Sequence, residues 1–377
     1  MSARHAEIAG GGIAGLSLAT MLARAGWSVR VHERSPAIRE AGAGIYMRNN
    51  SLEILDEYGV LDRLAALGTQ IHQTQMRGAH GELRQTFHLT GPARTFVFPR
   101  QALVDVLADA ARDAGVEITL DSEAVGTDPG GVLILANGTR LRADLIVAAD
   151  GFRSRLRDAV IPGARQWELK TIVNRHFIAG RDLTPDEMSI QYWSGQRRVG
   201  VAPCGSHTYV YTNFPNTLPR AGTLPLDLAD WGAAFPGLQR ELAVIAAAPT
   251  TQYNYIMVDC PRWTAGRLAI IGDAAHGLPP TLGQGAGLSI MNARALTLAL
   301  DRRGSIEDAL HYWEQQVRFI SDATQKWSCR YDSFTRDLPE MLRFLRPAAF
   351  WCFRHFPALN NRMRIADRGL ALTALHP

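Results

Sequence analysis

The residues Gly10-Gly11-Gly12-Ile13-Ala14-Gly15 constrain this chain more than any other stretch, because they join an apolar strand-like run, Ala6 to Ala9, to a helical run, Leu16 to Ala25. A strand that turns sharply into a helix leaves the first N–H groups of the helix, and its positive dipole end, facing outward. The glycines divide the work of such a turn. Gly10 permits the tight turn, Gly12 lets the backbone approach a pyrophosphate, and Gly15 allows close helix–strand packing. A second strand, Ser28 to His32, leads to Glu33 about 20 residues further on, where an acidic side chain binds the ribose hydroxyls of an adenosine. Gly10, Gly12, Ala14, Gly15, Glu33 and the adjoining Arg34 are therefore candidates for gripping a dinucleotide.

A chain of 377 residues with 46% hydrophobic content can bury a large core, and its length suggests about two domains. Met1 to Glu7 carries polar residues straight into the first strand, without the apolar run of a signal peptide or an integral membrane span, so a cytoplasmic protein is expected. Cys204, Cys260, Cys329 and Cys352 are widely spaced, with neither a paired metal spacing nor a secreted disulfide pattern, and are expected to be free thiols. The net charge is +4 with an isoelectric point near 9.0, yet the arginines are mostly dispersed among acids, which argues against a nucleic-acid partner. They concentrate in two places. One is Arg153, Arg155 and Arg157; the other is the carboxy-terminal region, with Arg343, Arg346, Arg354, Arg362, Arg364 and Arg368. A mild basic excess can steer an anionic substrate, while solvated helix faces account for the tail.

No repeat or low-complexity linker interrupts the chain. Ile71 to Phe98 and Trp167 to Cys260 carry the aromatic and β-branched residues of strands, including Thr208-Tyr209-Val210-Tyr211-Thr212. Between them, Gln101 to Ala114 has helical periodicity and Leu145 to Ala149 is a buried-strand run. Arg267 to Ile271 reads as a further strand, and Leu288 to Leu300 as the helix after it. The pattern from Ile306 onward is helical, with Pro339, Pro347 and Pro357 as interruptions. The expected organisation is α/β. A Rossmann-like nucleotide-binding domain (1–70, 99–165 and 261–305) is interleaved with a strand-rich substrate domain (71–98 and 166–260), and carboxy-terminal helices (306–377) follow.

Two further motifs accompany the first glycine turn. One is Asp150-Gly151-Phe152-Arg153-Ser154-Arg155-Leu156-Arg157, which follows a buried strand; the other is Gly272-Asp273, leading through Pro279-Pro280 to Gly283-Gln284-Gly285-Ala286-Gly287. Taken together, the three resemble the class A FAD-dependent aromatic-ring monooxygenases, the family with the para-hydroxybenzoate hydroxylase fold, from about Glu7 to Asn292. The resemblance implies FAD as cofactor. It places Asp150 and Gly151 on the flavin side of the sheet, and Arg157 against a phosphate or carboxylate. It puts Gly272 and Asp273 at the ribityl or pyrophosphate end, and the backbone of Gly283, Gly285, Ala286 and Gly287 at the pyrimidine edge of the ring, where a helix dipole stabilises negative charge on the reduced flavin. Gly44 and Arg100 match further cofactor contacts, and Pro280 lies beside the substrate and the reactive face. Many members carry asparagine at the position of Gly287 and aspartate at that of Asn292. Within the family, the similarity is greatest to an oxygenase that acts on a hydroxypyridine carboxylate. Extended into the strand-rich domain, it sets Arg175, Arg198 and Tyr209 against the substrate.

The implied activity is reduction of FAD by NADH or NADPH, followed by O₂ addition to give a C4a-hydroperoxide that transfers oxygen to a small aromatic substrate. A hydroxypyridine carboxylate is favoured, with hydroxylation or ring opening both open. A hydroxybenzoate or other phenol is one alternative; a flavin oxidoreductase that inserts no oxygen is another. A third is a non-catalytic flavoprotein whose carboxy-terminal aromatics, Phe350, Trp351, Phe353 and Phe356, bind a partner or membrane surface, although packing on the body or at a dimer contact is the favoured role for them. No metal is expected, and the chain is read as a monomer or homodimer. No spacing singles out a proton-transfer base among His72, His176, His207 and His276.

Overall fold

The computed structural model describes residues 3–40, 42–89, 94–338 and 340–375. Its first layer is a six-stranded sheet with His5–Ala9 at the centre. Ser28–His32 and then Glu117–Thr119 lie parallel on one side, and Leu145–Ala148 and then Leu268–Ile270 lie parallel on the other. The short strand Thr264–Ala265 closes that edge antiparallel. Ile8 pairs with both Val31 and Val147, and all three are fully buried. Covered on both faces, Leu145–Ala148 and Leu268–Ile270 need no polar alternation and read as continuous apolar runs, whereas His5–Ala9 and Ser28–His32 bury Glu7 and His32 as a hydrogen-bonded pair at 2.7 Å. Because the chain leaves His5–Ala9 first toward one edge and later toward the other, a crevice opens at the carboxyl ends of His5–Ala9 and Leu145–Ala148.

The helix Ile13–Arg24 has its first ten residues buried and packs between the helices Arg100–Asp113 and Gly285–Arg302. It is apolar all round because it is covered all round. Gly15 makes this possible: a β-carbon there would sit 2.0 Å from the carbonyl oxygen of Gly10.

The second layer is a seven-stranded sheet in the order Thr250–Asp259, Arg165–Ala179, His207–Pro215, Arg197–Cys204, Met188–Ser194, Gln73–Arg77 and Leu83–His88. Side chains alternate across it. Val199, Val201, Val210 and Phe214 point into a separate core with Trp231 and Phe235 of the flanking helical segment. Arg198, Tyr209 and Tyr211, on the opposite parity, point toward the nucleotide layer. The segment read as 71–98 is divided: Gln73–Arg77 and Leu83–His88 join this sheet, whereas Thr95–Pro99 pairs with Gly44–Arg48 and Thr69–Gln70 in a small bridging sheet. The expected boundary at 98/99 thus falls inside a strand. The stretch 166–260 also holds two helices, Leu228–Ala234 and Gln239–Ala247, which cover the far face of the large sheet.

The 32-residue helix Ile306–Asp337 ties the layers together. Trp313 is fully buried and donates to the Asn292 carbonyl at 3.0 Å, while Gln325 donates to the carbonyls of Val258 at 2.6 Å and Gly277 at 2.9 Å. Beyond it, Pro347 and Pro357 fall in the first turns of the helices Arg346–His355 and Pro357–Met363. A first turn has no use for the missing N–H, so these prolines begin helices and do not break one. Pro339 and the side chains of Arg343, Pro347, Phe350, Phe353 and Arg354 lie outside the described residues. Arg346, expected on a solvated face, is buried and donates to the carbonyls of Gly195 and Thr335. Trp351 and Phe356 are about half exposed. Among the described residues no helix is long and apolar enough to cross a membrane, and all four cysteines are free.

His176 and His276 are buried inside this framework, and burial pushes both imidazoles down to about 4 from 6.5. The unfolded chain therefore binds protons that the folded chain refuses between pH 6.5 and 4. Their contribution to stability is complete above pH 6.5 and is lost as pH falls through that window, by up to roughly 3 kcal/mol for each histidine. Thermal melts at pH 7 and pH 4.5 should show a large drop in Tm that His276→Gln reduces; an equal drop in the variant would contradict this assignment.

Candidate active site

The crevice continues into a cavity of about 1420 Å³ between the two layers. That exceeds the roughly 300–1,000 Å³ of an ordinary small-molecule pocket and leaves room for a second molecule beside a dinucleotide.

At one end lies the first glycine turn. Gly10 has φ +107°, and a β-carbon there would sit 2.3 Å from the Ala149 carbonyl oxygen, so only glycine lets the two strand ends approach. Gly12 differs, because a β-carbon on it would meet no protein atom closer than 3.6 Å. Protein packing does not demand that glycine; it bares the backbone to the cavity. The helix Ile13–Arg24 begins there with no side-chain cap and no acidic residue in its first turn, leaving its N–H groups free for an anion. Glu33 accepts from the N–H groups of Gly11 and Ser35, both at 2.9 Å, which holds its carboxylate across the turn. Ala14 and Arg34 line the cavity beside it, while Gly15 does not and serves packing alone.

The second motif reaches the cavity through Asp150 and Gly151. Asp150 accepts from the Arg155 N–H at 3.1 Å through one oxygen; the other has no partner, and burial raises the pKa of this carboxyl. Arg157 is the correction in this motif. It is 1% exposed, lies outside the cavity wall, and spends its guanidinium on the carbonyls of Phe152 at 2.9 Å and Ala274 at 3.1 Å and on Asp158. Through these bonds it fastens the second motif to the third.

In the third motif, Asp273, Pro280, Gly283, Gly285 and Ala286 line the cavity. Gly272, at φ +63°, lies just behind them, where a β-carbon would sit 2.7 Å from that of Ala14. Gly287, expected at the ring edge, also stands back from the wall; the amides of Gln284 and Asn50 lie where its side chain would go. The 18-residue helix Gly285–Arg302 again starts without a side-chain cap or an early acid. Two uncapped helix starts and an unpartnered Asp150 oxygen around one crevice fit a dinucleotide with a polar ring system.

Between these ends, Arg100 donates to Glu40 at 2.7 Å, and Gly42 lets Arg100 and Arg175 come together over it. Asp273 is exposed to the cavity. The protein crowded around it raises its carboxyl pKa, and the nearby Arg100 and Arg175 oppose that rise. Gly44 stays side-chain-free because the Tyr209 ring lies across it, 2.5 Å from where a β-carbon would be.

The far wall belongs to the large sheet. Arg198 is 8% exposed and stacks over the rings of Trp193 at 4.9 Å and Tyr211 at 5.6 Å. Among the described residues it makes no hydrogen bond or ion pair, and its Nε is without a partner. Arg175 lies over Tyr253 at 5.3 Å, and its Nε is likewise without a partner. Burial pushes the hydroxyl pKa values of Tyr209, Tyr211 and Tyr255 upward, so these groups stay protonated near neutrality. Sequence reasoning missed Tyr211, although the two-residue period places it on the face of Tyr209. It also missed Tyr46, Tyr253, Tyr255, Tyr331 and Asp367, all of which line the cavity. His72, His176, His207 and His276 do not.

A family model described as FAD binding domain matches residues 5–312. The chain is 36% identical over 355 residues, 91% of its length and 93% of the other's, to 2-heptyl-3-hydroxy-4(1H)-quinolone synthase of Mycobacteroides abscessus. It is 27% identical to 6-hydroxynicotinate 3-monooxygenase of Bordetella bronchiseptica, over 92% of this chain and 94% of that one. The solved tetrameric form of 2-methyl-3-hydroxypyridine-5-carboxylic acid oxygenase superposes with a TM-score of 0.85 at 33% identity, covering 97% of both chains.

Gly12→Ala should leave the fold intact, since no protein atom is close. It should weaken FAD binding by more than about tenfold, a loss of about 1.4 kcal/mol, as followed by flavin fluorescence; unchanged affinity would show that the pyrophosphate does not pass over this turn. With the family model spanning most of the chain, the chain belongs to the FAD binding domain family and is an FAD-dependent aromatic-ring monooxygenase.

Proposed function

We propose that the protein uses NADH or NADPH and O₂ to oxygenate a hydroxylated N-heteroaromatic ring that carries an anionic group, with a hydroxypyridine carboxylate as the favoured class. The observation that carries this reading is Arg198. Its guanidinium is almost fully buried against the rings of Trp193 and Tyr211, makes no hydrogen bond or ion pair among the described residues, and lines the cavity, so it can pair with an incoming anion. Relatives named as a hydroxyquinolone synthase, a hydroxynicotinate monooxygenase and a hydroxypyridine-carboxylic acid oxygenase support the ring class.

When bound, FAD supplies the electron transfer from the nicotinamide and the activation of O₂. The chain supplies the rest. The uncapped start of Gly285–Arg302 and the adjoining turn from Pro280 orient one edge of the reaction chamber. Arg198 and Arg175 hold negative charge on the substrate, either its carboxylate or its ionised ring hydroxyl. The protonated hydroxyls of Tyr209 and Tyr211 are donors toward the same space, and the rings behind them exclude water. Strands Met188–Ser194, Arg197–Cys204 and His207–Pro215 contribute Ser189, Gln191, Arg198, Tyr209 and Tyr211 to this wall, with no carboxylate or histidine among them. These three strands therefore offer positive charge and hydroxyl donors to an anion already formed, while Glu168 and His88 of the neighbouring strands also line the cavity.

Arg198→Met should raise the substrate Kd, read from perturbation of the flavin spectrum, by about 10- to 100-fold, equal to about 1.4–2.8 kcal/mol. FAD affinity should stay unchanged, and equal substrate binding by variant and parent would remove the anchor. The rising limb of kcat/KM against pH should follow the hydroxyl pKa of the substrate, moving to lower pH with a more acidic ring. A limb fixed at one pH for all substrates would point instead to an ionising group of the protein.

A further inference from the structure

The carboxy-terminal segment Ile365–Leu372 is built into the cavity wall. Ala366 and Leu375 are fully buried in the main core, and Asp367 and Arg364 line the cavity. From that position Asp367 reaches the residue that precedes the helix Gly285–Arg302. Gln284 is 2% exposed, and its amide donates to Asp367 Oδ1 at 2.5 Å while accepting from Asn50 at 3.2 Å. Asn50 also donates to the Ala366 carbonyl at 3.0 Å, so both amides are fixed by the same segment.

This arrangement explains two features of the helix start. A glutamine at the position before a helix can turn its side chain back onto the first N–H groups, yet Gln284 makes no such bond, because Asp367 and Asn50 draw its amide away. The freed N–H groups of Gly285 and Ala286 are left to the cavity. Gly287 then provides the space the clamp occupies: a β-carbon there would lie 3.2 Å from Gln284 Oε1 and 3.4 Å from Asn50 Nδ2. Asp367 has a charge role as well. Its second oxygen is 2.6 Å from Arg364 Nε and 3.6 Å from Arg48 Nη1, and both arginines line the cavity.

We propose that Asp367 is a positioning residue for the flavin: through Gln284 it keeps the start of Gly285–Arg302 open to the ring, and its charge offsets Arg48 and Arg364 beside it, so that the segment Ile365–Leu372 sets the reduction potential of bound FAD. The proposal rests on placing the flavin ring at this helix start. Removing the carboxylate charge leaves two cations uncompensated and favours the reduced, more negative flavin.

The test uses the full-length holoenzyme and the variants Asp367→Asn, Asp367→Ala and Gln284→Leu. The readouts are the midpoint potential of bound FAD, its visible spectrum, the FAD Kd and Tm. Asp367→Asn keeps the acceptor and removes the charge, and should shift the two-electron reduction equilibrium about tenfold toward reduced flavin, or about 30 mV. Asp367→Ala and Gln284→Leu should alter the spectrum and weaken FAD about tenfold. Variants that lower Tm, or change nothing, while potential and spectrum match the parent would overturn the proposal. Ala286→Asp checks the ring placement separately: an acid at the helix start that leaves the flavin spectrum unmoved would withdraw that placement, whatever the Asp367 variants do.

Discussion

The close contact between the α-carbon of Gly15 and the carbonyl of Gly10 sets the position of everything built around the nucleotide crevice. A single methyl group at Gly15 would fall 2.0 Å from that oxygen. With such a group in place the helix Ile13–Arg24 retreats from the sheet, and its uncapped start no longer meets the end of the central strand. The ends of His5–Ala9 and Leu145–Ala148 then lose their common crevice, and with it the floor against which the third motif and the arginine-bearing wall are set. A packing constraint at one backbone position thus fixes where a pyrophosphate can lie and, through it, where a ring can face the substrate.

The cavity divides chemically along its length. Its nucleotide end offers backbone N–H groups, helix starts and carboxylates, which suit a phosphate and ribose chain. Its far end offers two guanidiniums and a set of tyrosines whose hydroxyls burial keeps protonated. Such a wall suits a planar anion. His176 and His276, the two histidines deepest in the fold, are held neutral by burial and serve packing.

Much of this was legible in the sequence because the decisive signals are local. The three glycine-bearing motifs, the strand Ser28–His32 and the helix after Arg100 each announce themselves within a few residues. The alternation of Val210 and Phe214 with Tyr209 and Tyr211 carries the orientation of the large sheet once its register is known. What escaped depends on distance in the chain. Arg157 reads as a phosphate ligand because nothing near it reveals the carbonyl of Ala274, 117 residues away. Gly287 reads as a ring contact because its neighbours Gln284 and Asn50 are brought together by a segment at the end of the chain. The tail reads as solvated because its arginines are spaced like surface residues, yet Arg346 is buried and Arg364 faces the cavity.

Anaerobic reduction of the bound flavin by NADH and NADPH, followed in a stopped-flow spectrometer, decides most sharply whether the arginine–tyrosine wall and the flavin share one chamber. It is run with and without a panel of hydroxypyridine carboxylates, quinolones and hydroxybenzoates. If they share it, an N-heteroaromatic anion that fits the wall accelerates reduction many-fold and leaves the other ring classes behind. Reduction at one rate whatever aromatic is present would contradict that arrangement, and acceleration confined to hydroxybenzoates would contradict the N-heteroaromatic ring class.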